Sequence, residues 1–105
     1  MNFKELDPEI IESIASVGGQ YGKRIEQCIF KLKRLRKIEK YLKRRVLRSY
    51  KPPMFTIKIM KRVRKEIIET KGEALKYRYY LIIYRESLGL VNHKPVFEIY
   101  NIEQL

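Results

Sequence analysis

Hydrophobic side chains recur at helical spacing in the first half of the chain. Between positions 23 and 48 they return at steps of three, four or seven residues. These positions are Ile25, Cys28, Leu32, Leu35, Leu42 and Val46. No glycine or proline interrupts them, and a Tyr-Lys-Pro-Pro segment follows at 50–53. Because proline restricts the residue before it and cannot extend a helix, the pattern predicts one long helix that ends before this segment.

The same hydrophobic positions fit the a and d sites of a heptad, with Glu39 as the exception. A parallel pair of such helices is disfavoured, because cations at the flanking e and g sites would face their own copies. Those cations are Lys31, Arg36, Lys43 and Arg45. The sequence therefore favours packing of this helix on a sheet of its own chain, or antiparallel pairing.

A shorter helix is predicted before the long one. Asp7 is suited to cap it, and Pro8 is suited to its first helical position. Its apolar face is formed by Ile10, Ile11 and Ile14. Glycines within 16–22 permit the positive φ angles of a tight reversal into the long helix. The sequence therefore predicts a helical hairpin over residues 7–49.

The pattern changes after position 53, where apolar and polar residues alternate as in a strand with one buried face. Residues 60–70 fit a helix as well as a strand. Strands are predicted at 75–85 and 96–102, with a turn at 88–95 between them. The expected fold class is α+β, with a three-stranded antiparallel sheet in residues 54–103 that covers the long helix. With 105 residues, the chain is expected to form a single domain.

The net charge of +12 is concentrated in the predicted long helix. Residues 23–48 hold twelve Lys and Arg against two Glu, whereas residues 1–22 carry −3 and residues 49–105 carry +5. Ordinary surfaces mix the two signs, and self-repulsion along such a helix costs stability unless a partner compensates it. A polyanion, above all nucleic acid, is therefore the expected partner.

One face of this helix combines cations with aromatic rings. We call it the basic stripe, and its members follow at steps of three and four residues: Phe30, Arg34, Lys37, Tyr41, Arg44 and Arg48. Guanidinium and ammonium groups pair with phosphates, and aromatic rings offer flat surfaces to bases or sugars. The basic stripe predicts binding to the phosphate backbone with low sequence specificity, with DNA favoured over RNA. The alternative interpretation is a solvated helix face whose two rings are covered by another part of the fold.

A Ser-Val-Gly sequence at 16–18, followed by a short gap and a basic pair, resembles the helix-hairpin-helix module. That module binds the DNA backbone without sequence specificity, and the match covers about residues 10–26. The resemblance implies phosphate contacts by the amides of two glycines and by two cations at the second helix's N-terminus, where anions are favoured. The residues implied are Gly18, Gly19, Lys23 and Arg24. The alternative interpretation is a glycine-rich turn between two helices.

Two other classes of function remain open. The predicted layout, a helical pair followed by a sheet with Tyr-rich and Arg-rich strands, resembles ribonuclease toxins of the RelE type, which cleave RNA without a metal. That resemblance implies catalytic roles for Arg64, Lys76, Arg78, Arg85 and Tyr100. The second class is a structural or assembly protein whose long helix docks on an acidic protein or on another copy of itself.

Several kinds of site are not expected. Cys28 is the only cysteine and His93 the only histidine, so an intramolecular disulfide and a structural zinc site are excluded. We expect no cofactor, no metal and no dedicated catalytic residues. No apolar run approaches the about 20 residues needed to cross a bilayer, so we expect an intracellular, cytoplasmic protein without a membrane partner. A homodimer is left open.

Overall fold

Residues 8–105 fold into two long antiparallel helices and a short third helix. The structure, a computed structural model, describes residues 8–105 apart from the side chains of Ile11 and Ile14. Helix α1 spans Pro8–Arg48 and helix α2 spans Met54–Ser87, and the two are joined by a five-residue loop at 49–53. Helix α3 spans Lys94–Ile99. The molecule is a rod with extents of 68 × 23 × 14 Å.

The core lies between α1 and α2, where both helices present apolar side chains at heptad spacing. On α1 the buried positions are Ile25, Cys28, Leu32, Leu35 and Leu42. On α2 they include Val63, Ile67, Thr70, Ala74 and Leu81. The predicted burial of these α1 residues is confirmed. Glu39, the polar exception in the heptad, accepts a hydrogen bond from Arg36 at 3.1 Å and lies 3.7 Å from Arg64 of α2, so cations compensate its charge.

The predicted α+β class and three-stranded sheet are wrong. Within residues 8–105 there is no strand, and residues 54–87, including the ambiguous 60–70, form α2. The alternation at 55–59 extends over too few residues to decide the structure. A seven-residue repeat from 60 to 84 continues much further and gives α2 an apolar face that packs along α1. Residues 96–102, predicted as a strand, form the end of α3 and an irregular segment.

The predicted reversal at 16–22 is also wrong, because α1 continues through these residues. Two of the glycines instead permit close approach of aromatic side chains. A Cβ atom on Gly18 would lie 3.2 Å from the ring of Tyr84, and one on Gly22 would lie 2.7 Å from the Tyr100 hydroxyl. Each glycine inside a helix costs about 1 kcal/mol of stability relative to alanine. The packing of the two tyrosines against α1 offsets this cost. Asp7, the predicted cap, lies outside the described residues.

Two of the three breaks that the sequence predicts after residue 48 are confirmed, and the third, a turn at 71–73, is wrong because α2 continues through it. α1 ends at Arg48, just before the Tyr-Lys-Pro-Pro segment, and α2 begins directly after Pro53. The turn predicted at 88–95 follows α2. Gly89 adopts a positive φ of 83° there, and its amide donates to the carbonyl oxygen of Glu86 at 2.9 Å. The chain then turns back toward the two long helices.

The C-terminal residues lie along one side of the hairpin and are held there by Arg78. This side chain is buried, and its Nη1 donates to Glu103 Oε2 at 2.8 Å and to the Tyr100 carbonyl at 3.1 Å, while Nη2 donates to Glu103 Oε1. Ile102 is fully buried between these contacts. At the chain end, Arg36 Nε donates to the carbonyl oxygen of Leu105 at 3.0 Å. Residues 100–105 therefore complete the core.

The Arg78–Glu103 pair predicts a pH dependence of stability. The hydrogen bond from Arg78, together with a backbone hydrogen bond, lowers the pKa of Glu103 from 4.5 to about 2. A lowered folded-state pKa stabilises the fold fully above about pH 4.5, and this contribution is lost as the pH falls towards 2. We therefore expect Glu103→Gln to lower the melting temperature at pH 6. At pH 2.5 the melting temperatures of the variant and the wild type should lie closer together. A constant difference over this range, measured by circular dichroism, would contradict the ion pair.

Candidate nucleic-acid interface

The net positive charge of the rod lies in one half of its length. Because α1 and α2 are antiparallel, residues 31–71 form the half that contains the connecting loop, which we call the loop half. It holds seventeen Lys and Arg against three Glu, a net charge of +14. The rest of the described chain, residues 8–30 and 72–105, holds six Lys and Arg against seven Glu, a net charge of −1. The charge of the whole molecule thus belongs to the loop half.

The basic stripe lies on the outer face of α1, opposite the core. Its positions are offset by about half a helical turn from the buried heptad positions, so every member points away from α2. All six side chains are exposed, and the exposed fractions of Phe30 and Tyr41 are 69% and 58%. From Phe30 to Arg48 the stripe is about 27 Å long at 1.5 Å per residue. Within residues 8–105 no other part of the fold covers Phe30 and Tyr41. The alternative interpretation, in which both rings are covered, therefore does not hold for these residues.

The cations of the basic stripe are not neutralised by the protein's own acids. Within residues 8–105, none of its four cations forms an ion pair with a carboxylate. Glu39 is the only acid between the first and last stripe residues, and it faces Arg36 and Arg64 at the edge of the core. Four unpaired cations on one exposed helix face therefore remain available to an external anion.

The two aromatic rings of the basic stripe have different surroundings. Phe30 lines an open depression of about 580 Å³ together with Lys23, Gln27 and Arg34, among others. Tyr41 already has a partner, because Arg45 Nη1 donates to its hydroxyl at 3.1 Å and the guanidinium lies 5.9 Å from the ring centroid. Phe30 is therefore the better placed of the two rings to stack on a base or sugar.

The residues implied by the helix-hairpin-helix resemblance do not form a turn. Gly18 and Gly19 lie inside α1, where helical amides bond to carbonyl groups four residues earlier, so these two glycines have no amide to offer a phosphate. Lys23 and Arg24 are exposed on α1, but neither lies at a helix N-terminus. The guanidinium of Arg24 lies 5.7 Å from the centroid of the Tyr77 ring. Lys23 lines a surface depression together with Phe30, so it is kept as a residue of the candidate interface.

The residues implied by the ribonuclease resemblance are not brought together. Arg64 and Arg85 are 21 residues apart on α2, which is about 32 Å. Arg78 is buried and paired with Glu103, and Arg85 donates to the carbonyl oxygen of Asn92 at 2.9 Å. The sheet that would have gathered these cations is not found in residues 8–105. The geometry therefore gives no support to a catalytic cluster of these residues.

Cys28 and His93 have different surroundings. Cys28 is buried in the core, and burial, followed by the charge of Glu73, raises the pKa of its thiol. Nε2 of His93 lies 3.0 Å from Oε1 of Glu86, near the C-terminal end of α2. A buried thiol with a raised pKa is a poor nucleophile, so the two do not form a catalytic pair.

A group of exposed apolar side chains at the loop end was not predicted from the sequence. We call it the tip cluster: Leu47, Tyr50, Met54 and Phe55. Each exposes two thirds or more of its surface. The heptad positions of α1 end at Val46, and this break in the repeat is the sequence signal that could have shown Leu47 to lie outside the core.

Neither a metal site nor a membrane-spanning helix is found in the described part of the chain. Residues 8–105 contain no group of three or more His, Cys, Asp or Glu side chains able to hold a metal ion. No helix among them combines the length and the apolar character needed to span a membrane.

A scan against models of protein families finds no match to this chain, and searches of curated proteins and of solved structures find none either.

Proposed function

We propose that this protein binds the phosphate backbone of nucleic acid through the basic stripe of α1, with low sequence specificity. The observation that carries the proposal is the loop half, with its net charge of +14 and its exposed, unpaired stripe cations. Such a concentration of one sign repels itself and is best compensated by a polyanion. Phosphate contacts position a protein on nucleic acid without reading its sequence.

The shape of the interface favours duplex DNA over duplex RNA. The major groove of B-form DNA, about 12 Å wide, admits an α-helix, whereas that of A-form RNA is too narrow for side chains to enter. The outer face of α1 is a continuous helical surface with α2 packed behind it.

Salt dependence is the direct test of this function. Each phosphate contact releases counterions, so affinity for duplex DNA falls by about 0.9 log units per decade of salt for every contact. We expect four stripe contacts to give a slope of at least about 3.6. Fluorescence anisotropy with a labelled duplex of about 20 base pairs, at salt concentrations from about 50 to about 300 mM, measures this slope.

Competition separates nucleic acid from other polyanions. Duplexes of unrelated sequence should compete within about threefold of each other, since phosphate contacts carry no sequence information. Duplex RNA and single-stranded DNA of equal length should compete less well than duplex DNA. A flat salt response, or polyglutamate that competes as well as DNA at equal charge, would contradict the proposal and favour an acidic protein partner.

A further inference from the structure

The tip cluster exposes apolar surface at the far end of the rod. Its four residues lie within nine positions of the chain, at the end of α1, in the loop and in the first turn of α2. Tyr50 is 99% exposed. Leu47, Met54 and Phe55 project from the two helix ends that meet at the loop, and each is exposed. Four such side chains grouped at one end of the rod, rather than scattered singly, mark an interaction site.

The surroundings of the tip cluster are uniformly basic. Residues 40–65 contain eleven Lys and Arg and no acid. Among these, the side chains next to the cluster are exposed and form no ion pair within residues 8–105: Arg44, Arg48, Lys51 and Lys58. Apolar side chains ringed by cations match a surface that is apolar inside and negatively charged outside. That surface is an anionic lipid bilayer.

We propose that the tip cluster docks the rod end-on to an anionic phospholipid bilayer. Leu47, Met54 and Phe55 enter the boundary between headgroups and acyl chains, Tyr50 lies at headgroup level, and the surrounding cations pair with lipid phosphates. This departs from the expectation of no membrane partner, which rested only on the lack of a spanning run. Docking at the surface needs no such run.

The chemistry of the tip cluster favours lipid over nucleic acid as its partner. Leu47 and Met54 carry no hydrogen-bonding group and no flat ring, so they add little to phosphate binding or base stacking. The cluster also lies at the very end of the rod, whereas the basic stripe runs along the side of α1. The two surfaces share Arg44 and Arg48, but the apolar side chains of the tip cluster can be removed while every stripe cation stays in place.

Vesicle binding tests the proposal. A tip variant changes Leu47, Tyr50, Met54 and Phe55 to serine. A control variant makes the same change at four comparably exposed apolar residues outside the tip cluster: Ile68, Tyr79, Val91 and Ile99. In flotation with vesicles of phosphatidylcholine and phosphatidylglycerol at about 3:1, we expect the tip variant to bind at least about tenfold more weakly than the wild type. The control variant should bind these vesicles like the wild type. The wild type and the control variant should not bind vesicles of pure phosphatidylcholine.

A second measurement reports insertion directly. The chain has no tryptophan, so Tyr50→Trp introduces a single tryptophan at the tip, which can be excited selectively over the tyrosines, and Tyr79→Trp places one on α2 as a control. Anionic vesicles should shift the emission of the Tyr50→Trp variant to the blue and leave that of the control unchanged. An unshifted spectrum, or a tip variant that binds vesicles as tightly as the wild type, would overturn the proposal.

Two further outcomes assign the tip cluster to another partner. DNA affinity of the tip variant should stay within about twofold of the wild type, because stripe cations carry that binding. A tip variant that loses DNA affinity along with vesicle binding would place the cluster in the nucleic-acid interface and overturn membrane docking. Sedimentation showing a dimer that the tip variant abolishes would instead assign the cluster to a second copy of the chain.

Discussion

Changing the four cations of the basic stripe to glutamine is expected to weaken binding to duplex DNA by at least about a hundredfold at about 50 mM salt. The substitutions are Arg34→Gln, Lys37→Gln, Arg44→Gln and Arg48→Gln. Each removes a charge that pairs with no acid within residues 8–105, so the protein loses phosphate contacts without exposing a carboxylate. The salt slope should fall by about 3.6 log units per decade. Anisotropy titrations at three salt concentrations measure both quantities.

A matched variant on the other helix distinguishes the basic stripe from charge in general. It removes four cations from the exposed face of α2: Lys58, Lys61, Arg62 and Lys65. Both variants lower the net charge from +12 to +8, since each loses four cations. We expect the α2 variant to lose less than about tenfold in affinity, since long-range attraction falls while direct contacts remain. Equal losses would show that binding follows net charge rather than the stripe. Both should keep the wild-type free energy of unfolding within about 0.5 kcal/mol.

Truncation of Leu32 is expected to have the largest effect on stability. Leu32 is 0% exposed, and it packs in a cluster with Val63 and Ile67 of α2. Replacing a buried leucine with alanine removes apolar contacts and leaves a cavity, which costs about 2 to 5 kcal/mol. We therefore expect Leu32→Ala to lower the free energy of unfolding by about 3 kcal/mol in urea denaturation.

Leu47 supplies the control for this experiment on the same helix. It lies fifteen residues after Leu32 in the sequence but is 77% exposed, so Leu47→Ala should change the free energy of unfolding by less than about 0.5 kcal/mol. Similar losses in the two variants would contradict the pairing of α1 with α2. Because the fold depends on this pairing, such a result would also remove the geometric basis of the basic stripe.

The core face of α1 is readable from the sequence because its signal is local and long. Ile25, Leu32 and Leu42 belong to one repeat in which only Glu39 is polar, and helical geometry alone places them on one side. The outward direction of the basic stripe follows from the same geometry. Proline at 52 and 53 marks the loop equally clearly, since it prevents the helix from continuing.

The prediction for the second half of the chain is wrong because local preference and tertiary packing disagree there. Tyrosine and β-branched residues favour strands, and the apolar run at 75–85 is typical of a buried strand. The deciding fact is that the long apolar face of α1 needs an equally long partner. Ile67, Ala74 and Leu81, seven residues apart, supply that partner only as a helix.

The prediction for the glycines at 18 and 22 is wrong for a related reason. Glycine is typical of turns, and nothing near it in the sequence reveals that a distant side chain needs its space. Tyr84 and Tyr100 are more than sixty residues away from these glycines along the chain.

The tip cluster is not predicted from the sequence. The exposure of side chains at the loop depends on where both helices end, and composition does not show this.

The uneven charge of the rod gives the molecule a large electric moment along its long axis. In the field of a polyanion or an anionic membrane, such a moment produces a torque that turns the loop half towards the charged surface before contact. Encounters are therefore oriented in advance, and fewer collisions involve the near-neutral end. At an anionic membrane, this steering favours the orientation in which the end that carries Tyr84 lies farthest from the surface.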